Sequence, residues 1–220
     1  MSKLIVGRHT ETIFNYESIF SGCMDVPLSS NGINQALAML DSIYAEDIDV
    51  VFSSKLLRTK ETAAILMQAY YEAKKCRYPV FAGNFVENND VEDKRYIPVF
   101  SDQRLNERSY GILEGLDKKQ VEEEYGKQQL YAWRRGWSEA PEGGESLCNV
   151  CERVRQFLDE VIIPLLEKKK NVLIICHQNS MRAIKIIIDD IKQENVEHIE
   201  FKNGQFLSFN YYNGNLLSED

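Results

Sequence analysis

The chain has 220 residues, of which 44% are hydrophobic, and it carries a formal net charge of −8 at pH 7. This length and apolar content suffice for one substantial core, and no linker-like segment divides the chain, so we expect a single domain over residues 1–220. The negative charge disfavours general binding to nucleic acid or to an anionic membrane. No apolar run approaches membrane-spanning length, and the segment before Arg8 is too short for a signal-peptide core, so we expect a cytoplasmic protein.

The first predicted element is a short apolar strand over residues 4–7 that leads directly to Arg8 and His9. A continuous apolar run of this length is typical of a strand buried on both faces, which implies helices on both sides of a largely parallel sheet. Ligands of such sheets bind beyond the carboxyl ends of the strands. We therefore expect the imidazole of His9 and the fixed charge of Arg8 in a binding pocket.

The second predicted element is a helix that begins after an irregular connection over residues 10–27. Ser29 or Ser30 is expected to cap its N-terminus. Apolar residues then recur at spacings of three and four, which is the pattern of a helix with one buried face. These residues are Ile33, Ala36, Leu37, Leu40 and Tyr44.

A further buried strand is predicted over residues 50–52, and Ser53 and Ser54 are expected to cap the helix that follows it. This arrangement places Arg58 in the first turn of that helix, beside a strand end and a helix N-terminus, where anions bind favourably. An isolated arginine would more often be an ordinary surface charge, so the position of Arg58 is what makes it a candidate. The apolar positions of this helix are Leu57, Ala64, Met67 and Tyr71.

The middle of the chain contains a polar segment and then a short strand. Residues 82–95 are polar and acidic without a clear period, so we expect a surface insertion that lacks catalytic residues. A strand over residues 98–100 then leads to Glu107, which lies among basic neighbours. That carboxylate is either a salt-bridge partner or a proton carrier.

The next segment is predicted to be helical and to end in a pair of arginines. Asp117 and Gln120 form a capping pair for a helix that runs toward residue 125. The adjacent guanidinium groups of Arg134 and Arg135 suit a phosphate or a carboxylate. Such a doublet is more often part of a solvated surface, so both interpretations stay open at this point.

A long amphipathic helix is predicted over residues 146–166. Within it, the spacing of Cys148 and Cys151 invites a metal or redox interpretation, but no second pair accompanies them and helical periodicity favours packing in the core. The five cysteines are odd in number and irregularly spaced, which disfavours a disulfide framework. No other cluster has metal-ligand spacing, so we expect no metal site.

The last third of the chain contains a second strand that runs into a histidine. A strand over residues 172–175 leads to His177, and a helix over residues 181–188 and a strand pair near residues 206–212 follow. Either His9 or His177 alone could simply satisfy a buried polar contact. Because both follow buried strands, we expect the fold to bring them into one active site. The predicted fold is α/β, a three-layer sandwich with a mostly parallel central sheet and helices on both faces.

These residues form a pattern that resembles a known family. The opening of the chain, with Arg8, His9, Glu11 and Asn15 followed by the motifs at residues 20–22 and 25–28, resembles the histidine phosphatase superfamily. The blocks at residues 104–118, 133–135, 145–147 and 177–182 resemble cofactor-dependent phosphoglycerate mutase. The resemblance covers nearly the whole chain, and the blocks around Glu107 and Trp133 are its most diagnostic parts.

The resemblance implies a reaction through a phosphorylated histidine. His9 would be the nucleophile, and Glu107 would exchange a proton with the substrate hydroxyl. Arg8, Arg58 and His177 would surround the transferring phosphoryl group. The residues that match substrate-binding positions of the family are Asn15, Ser21, Gly22, Tyr110, Lys118, Arg134, Arg135, Gln178 and Asn179.

The implied activity is the interconversion of 3-phosphoglycerate and 2-phosphoglycerate in glycolysis and gluconeogenesis, with 2,3-bisphosphoglycerate as primer and intermediate and without a metal. Two alternatives stay open. One is a phosphatase of small phosphorylated metabolites, in which water attacks the phosphohistidine. The other is an inactive binding protein on the same fold. The expected partner is a small phosphorylated metabolite rather than nucleic acid or a membrane, and the chain is also a candidate homo-oligomer.

Two residues depart from the family pattern beside the reaction centre. Thr10 and Gln178 replace the glycines that normally follow the two histidines. Glycine would allow a positive φ or a close approach of backbone to phosphate. We therefore expect ordinary negative φ angles at Thr10 and Gln178, with side chains that make polar contacts near the phosphoryl site.

Overall fold

The computed structural model describes residues 2–85 and 95–219, which form one central sheet covered by helices. The strands in these residues are β1 (Ser2–Arg8), β2 (Val50–Ser53), β3 (Tyr78–Gly83), β4 (Tyr96–Ser101), β5 (Val172–Cys176), β6 (Phe206–Tyr212) and β7 (Asn215–Ser218). Their order across the sheet is β3-β4-β2-β5-β1-β6-β7. Strands β1 to β5 run parallel, whereas β6 pairs antiparallel with β1 and with β7. The sheet is therefore mostly parallel, as predicted.

The helices lie between the strands in sequence. They are α1 (Ile13–Tyr16), α2 (Ser30–Ala38), α3 (Leu40–Ile43), α4 (Leu57–Lys74), α5 (Lys118–Tyr125), α6 (Lys127–Arg135), α7 (Leu147–Phe157), α8 (Ile163–Glu167) and α9 (Gln178–Ile188). A π-helical turn, Leu158–Ile162, joins α7 to α8 without a break, so the long helix predicted over residues 146–166 is confirmed. No helix of the described residues is long and apolar enough to cross a membrane.

The strands alternate between two buried clusters, one on each face of the sheet. In β1, Leu4 and Val6 pack with residues of α7 and α9, whereas Ile5 packs with residues of α4 on the opposite face. The same alternation occurs in β2 and β5. A strand that is apolar at every position can be buried in this way only between two helical layers. The predicted three-layer sandwich is thus confirmed.

The buried face of the segment after Ser29 differs from the face that was predicted to be buried. Ser29 caps α2 by accepting a hydrogen bond from the backbone N–H of Gly32, as expected. However, α2 ends at Ala38 and α3 begins at Leu40, so the helical phase is interrupted between them. As a result Ile33, Leu37 and Tyr44 are exposed, and Met39 and Ile43 are buried instead.

The start and the buried face of α4 also differ from the prediction. Its N-cap is Leu56, two residues after Ser54, and Leu56 makes no side-chain capping bond. The core-facing residues are consequently Ala63, Leu66, Met67 and Tyr70 rather than Ala64 and Tyr71. Arg58 is nevertheless in the first turn, where the sequence placed it.

Strand β3 was not predicted from the sequence. It lies at one edge of the sheet, contains Pro79 and is mostly exposed, so it lacks the buried apolar run by which the other strands were recognised. Residues 82 and 83 of the predicted surface insertion belong to this strand. Most of that predicted insertion, residues 86–94, lies outside the described residues.

Candidate active site

The two histidines lie at the carboxyl ends of adjacent parallel strands. Arg8 of β1 is aligned with Cys176 of β5, and the backbone N–H of His9 donates to the carbonyl of Cys176 over 2.9 Å. This pairing brings the rings of His9 and His177 to a centroid separation of 5.1 Å, and both side chains are buried. The prediction that the fold joins these residues, distant in sequence, is confirmed.

One ring nitrogen of His9 makes a hydrogen bond, and the other has no hydrogen-bond partner among the described residues. Its Nδ1 lies 2.7 Å from the carbonyl oxygen of Thr10, which can only accept, so Nδ1 carries the proton and Nε2 holds a lone pair. Burial lowers the pKa of His9 well below 6.5, and the charges of Arg58 and Arg8 lower it further. His9 is therefore a neutral imidazole at physiological pH, which is the form required of a nucleophile.

Two arginines beside His9 are held by backbone carbonyls rather than by carboxylates. Arg58 is 1% exposed and donates to the carbonyls of Gly22 and Met24 over 2.7 and 2.8 Å. Arg8 donates to the carbonyl of Phe201 over 2.7 Å, and its Nε is buried without a partner among the described residues. Since no acidic side chain of the described residues forms an ion pair with either arginine, both are available to an anion in the pocket.

Glu107 is fixed through one of its two oxygens. It is 8% exposed, and its Oε1 accepts from the backbone N–H of Arg108 over 2.8 Å and from the backbone and side-chain amides of Asn179 over 3.2 and 3.1 Å. No described residue donates to Oε2. A carboxylate held in this way presents one oxygen to the pocket and can exchange a proton there.

One pocket contains nearly all of the predicted site residues. Arg8, His9, Arg58 and Glu107 line it together with Asn15, Ser21, Gly22, Tyr110, Lys118, Arg134, Arg135, Gln178 and Asn179. His177 does not line the pocket and lies behind it, against the ring of His9. The arginine doublet is therefore part of the pocket wall and not of an open surface.

Three further positive charges line the pocket, those of Lys118, Arg134 and Arg135. Burial together with the charge of Arg134 lowers the pKa of the Lys118 ammonium. Arg135 forms an ion pair with Glu200 over 2.8 Å. The pocket is lined by several cationic side chains although the chain as a whole is acidic. Such a pocket favours a ligand with several anionic groups.

Sequence reasoning assigned no role to two charged residues of this pocket, Arg182 and Glu200. Arg182 is buried, and its guanidinium donates to the carbonyls of Arg134 and Arg135 over 3.2 and 3.0 Å, which caps the C-terminus of α6. Its position four residues after Gln178, on the same helical face, is a signal that the sequence offered. Glu200 follows a short 3₁₀ turn, and no pattern in the sequence marks it.

The two residues that replace family glycines have different environments. Neither has a positive φ, as predicted. Gln178 lines the pocket, and its Nε2 is buried without a partner among the described residues. Thr10 does not line the pocket, because its hydroxyl lies 3.4 Å from that of Thr62 on α4. The expectation of a polar contact near the phosphoryl site is therefore wrong for Thr10.

The cysteines agree with the structural role predicted for them. Cys151 is buried in the core cluster beneath α7, and Cys148 is partly exposed. Burial raises the pKa of the Cys151 thiol to about 12, so it stays protonated and unreactive at neutral pH.

Comparison with known proteins places this geometry in a family. The family model of the histidine phosphatase superfamily (branch 1) matches residues 4–75 and 89–219. The 2,3-bisphosphoglycerate-dependent phosphoglycerate mutase of Methanosarcina acetivorans is 34% identical, in an alignment covering 100% of this chain and 96% of that protein. The mutase of the same name from Chlamydia abortus is also 34% identical, covering 93% of this chain and 92% of its own length.

Solved structures show the same fold. A mycobacterial glucosyl-3-phosphoglycerate phosphatase superimposes with a TM-score of 0.79 at 23% identity, covering 100% of this chain and 98% of the phosphatase. A putative alpha-ribazole-5'-P phosphatase of Escherichia coli gives a TM-score of 0.75 at 22% identity, covering 99% and 94% of the two chains. The strand-end histidines, the cationic pocket and these matches lead to one conclusion. The chain belongs to branch 1 of the histidine phosphatase superfamily.

Proposed function

We propose that this protein is a 2,3-bisphosphoglycerate-dependent phosphoglycerate mutase, which interconverts 3-phosphoglycerate and 2-phosphoglycerate through a phosphohistidine at His9. The observation that carries the proposal is a single pocket in which the nucleophile and two neighbouring arginines share the lining with Lys118, Arg134 and Arg135. Relatives that are 34% identical over nearly the whole chain bear the name of this enzyme, which supports the same function.

In the proposed transfer, the lone pair on Nε2 of His9 attacks the phosphorus atom. A nitrogen–phosphorus bond forms as the bond from phosphorus to the substrate oxygen breaks. Arg8 and Arg58 stabilise the negative charge on the other phosphoryl oxygens, which accounts for most of the catalysis in phosphoryl transfer. Their backbone anchors fix both guanidinium groups before substrate arrives, so little reorganisation is needed.

Glu107 carries out the proton transfer of the same step. The substrate oxygen gains a proton as it leaves phosphorus and loses one when it attacks the phosphohistidine. Oε2 of Glu107 is the oxygen available for this exchange, because Oε1 is held by the amides of Arg108 and Asn179. The same carboxylate thus acts as acid in one direction and as base in the other.

The positive charges of Lys118, Arg134 and Arg135 distinguish the requirements of a mutase from those of a simple phosphatase. A mutase must hold the glycerate while the phosphoryl group moves to a different oxygen, so the far end of the substrate needs its own anion-binding groups. Lys118, Arg134 and Arg135 are the residues in a position to supply them. Their ammonium and guanidinium groups would bind the carboxylate and the second phosphate.

The pocket residues fit 2,3-bisphosphoglycerate. When bound, this molecule supplies the phosphoryl group that charges the enzyme. The cationic side chains that line the pocket, among them Arg8, Arg58 and Lys118, support a ligand that carries several anionic groups. We extend the proposal to an enzyme of glycolysis and gluconeogenesis acting in the cytoplasm.

An assay of two products on 3-phosphoglycerate tests the proposal. With trace 2,3-bisphosphoglycerate, 2-phosphoglycerate should form much faster than inorganic phosphate is released, and omission of the primer should slow its formation. Release of phosphate without 2-phosphoglycerate would instead identify a phosphatase. Absence of both products, with binding retained, would identify an inactive binding protein. Either of the last two results would overturn the proposal.

A further inference from the structure

Glu200 places a negative charge in a pocket that is lined mainly by positive ones. The described lining contains five arginines, one lysine and two carboxylates, those of Glu107 and Glu200. Glu107 carries the proposed proton transfer, whereas Glu200 has no part in the proposed reaction. Like charges brought together oppose binding, so a carboxylate in the lining affects which anions the pocket accepts.

Glu200 pairs with one of the arginines that the proposed function assigns to the substrate. Its Oε1 accepts from Nη2 of Arg135 over 2.8 Å. This hydrogen bond lowers the pKa of Glu200, and the charges of Arg134 and Arg8 act in the same direction, so the carboxylate is ionised at neutral pH. An anionic group of a ligand must therefore either displace Glu200 from Arg135 or bind beside its negative charge.

The backbone next to Glu200 is fixed by two residues of the pocket. The N–H of Phe201 donates to Oε1 of Gln178 over 3.2 Å, and the carbonyl of Phe201 accepts from Arg8 over 2.7 Å. The side chain of Phe201 packs in the core. Gln178 stands where the family has glycine, so this chain has a side-chain contact that a glycine could not make. That contact helps to hold Glu200 at the pocket.

Arg135 is anchored as well, and the ion pair is open to solvent. The carbonyl of Arg135, the last residue of α6, accepts from Arg182 over 3.0 Å. The side chain of Arg135 is 20% exposed and that of Glu200 is 63% exposed, and a pair so open contributes little to folding stability. A bound ligand nevertheless experiences these charges, because a ligand that fills the pocket displaces the water that screens them.

We propose that Glu200 is a specificity-determining residue that lowers the affinity of the pocket for a ligand more strongly the more negative charge the ligand carries. Phosphoglycerate is thereby favoured over 2,3-bisphosphoglycerate, which carries a carboxylate and two phosphates. In the proposed mutase the bisphosphate is the intermediate, and very tight binding would trap the enzyme at that stage. The inference rests on the proposed function only in placing a phosphoglycerate in this pocket.

Calorimetry without turnover tests the inference. The parent protein carries His9→Gln, which removes the proposed nucleophile, and the ligands are 2,3-bisphosphoglycerate and inorganic phosphate. Addition of Glu200→Gln should lower the dissociation constant of the bisphosphate by about three- to ten-fold and that of inorganic phosphate by less than about two-fold. A constant for the bisphosphate that is unchanged or raised, or equal changes for both ligands, would overturn the inference.

Glu197→Gln in the same parent is the matched control. Glu197 precedes Glu200 by three residues, contacts the hydroxyl of Tyr131 over 3.1 Å and does not line the pocket. Its replacement changes the net charge of the chain by the same amount, so both dissociation constants should stay unchanged. If Glu197→Gln tightens the bisphosphate as much as Glu200→Gln does, the effect belongs to the net charge and the inference is wrong.

Salt separates an effect of charge from a change in the shape of the pocket. The ratio of the dissociation constants of the parent and Glu200→Gln should shrink at high ionic strength, because salt screens charges that are open to solvent. A ratio that does not depend on salt would overturn the inference. None of these measurements needs turnover, so a protein that fails as a mutase in the product assay is still tested here in full.

Discussion

The atoms that the protein leaves without internal partners define the chemistry of individual residues. Among the described residues, His9 donates through Nδ1 with no partner at Nε2, and Glu107 accepts through Oε1 with no donor at Oε2. In each case the backbone fixes one side of the group and so orients the other. The reactive atoms are thus preorganised by hydrogen bonds that the side chains make to their own neighbours in sequence.

Replacement of Glu107 by glutamine should slow phosphoryl transfer by about two to four orders of magnitude, because an amide cannot exchange the proton. Its carbonyl oxygen can still accept from Arg108 and Asn179, so KM for 3-phosphoglycerate should change little. Steady-state kinetics measure both constants. The control is Glu123→Gln on α5, whose side chain is 68% exposed. A near-normal kcat in Glu107→Gln would reduce this carboxylate to a structural role.

Joint replacement of Arg134 and Arg135 by glutamine should change the fate of the phosphoryl group more than its removal from the donor. These residues line the pocket together with Lys118 and would hold the glycerate between the two transfers. The ratio of 2-phosphoglycerate to released phosphate should fall. Arg155→Gln, on the exposed side of α7, should leave that ratio unchanged. Equal losses of both products would show that the doublet contributes only general binding or stability.

The sequence predicted site residues where a local signal accompanied them. His9 and His177 follow buried strands, and parallel pairing forces the ends of β1 and β5 together. Glu200 reaches the pocket through the packing of the segment before β6, which single-sequence patterns do not encode. Arg182 was missed although its position four residues after Gln178 on α9 was a local signal. The roles of all pocket residues in binding and catalysis stay predictions.

At the scale of elements, prediction succeeded where burial was complete on both faces. Strands β1, β2 and β5 carry uninterrupted apolar runs that no other element of this length would show. The prediction of the buried face of α2 was wrong because the break before α3 changes the helical phase. A prediction from periodicity assumes that this phase is constant. Strand β3 was missed because an exposed edge strand has no such run.

The placement of α6 depends on a buried arginine from a different element. Arg182 of α9 donates to the carbonyls of Arg134, Arg135 and Val196, and burial lowers its pKa to about 10. Replacement by methionine should lower the free energy of unfolding by about 1–3 kcal/mol, because the carbonyl of Arg135 loses its only donor among the described residues. The carbonyls of Arg134 and Val196 each keep a second donor. The substitution should also raise KM, since the helix end that carries the arginine doublet is released.

Urea denaturation and steady-state kinetics check this prediction, and Lys185→Met is the matched control on the same helix. Lys185 forms a partly exposed ion pair with Asp189, so its loss should cost less than about 0.5 kcal/mol. Equal effects of the two substitutions would show that the cap on α6 contributes nothing specific.

On the scale of the whole molecule, burial of two neutral histidines links stability to pH. The pKa values of His9 and His177 are lowered in the folded state, so below pH 6.5 the unfolded chain binds more protons than the folded one. The free energy of unfolding should therefore rise as pH increases toward 6.5, by up to about 1.4 kcal/mol per pH unit for each histidine, and then level off.

Urea titrations between pH 5 and pH 7.5 measure this slope. His9→Gln should remove about half of the contribution from the two buried rings. The wild type and this variant both retain the exposed His198, so the difference between their slopes reports the loss of the buried ring. A slope that is the same in the wild type and in His9→Gln would contradict the neutral, buried state assigned to this ring.

The central claim is that His9 becomes phosphorylated on Nε2, and direct detection of that bond tests it. The protein is incubated with 2,3-bisphosphoglycerate labelled with radioactive phosphate, digested under alkaline conditions and mapped by mass spectrometry, with phosphorus NMR to identify the nitrogen. Acid-labile label should appear on the peptide that contains His9, attached to Nε2, and should be absent from His9→Gln. Label on another residue, or label retained in His9→Gln, would contradict the mechanism.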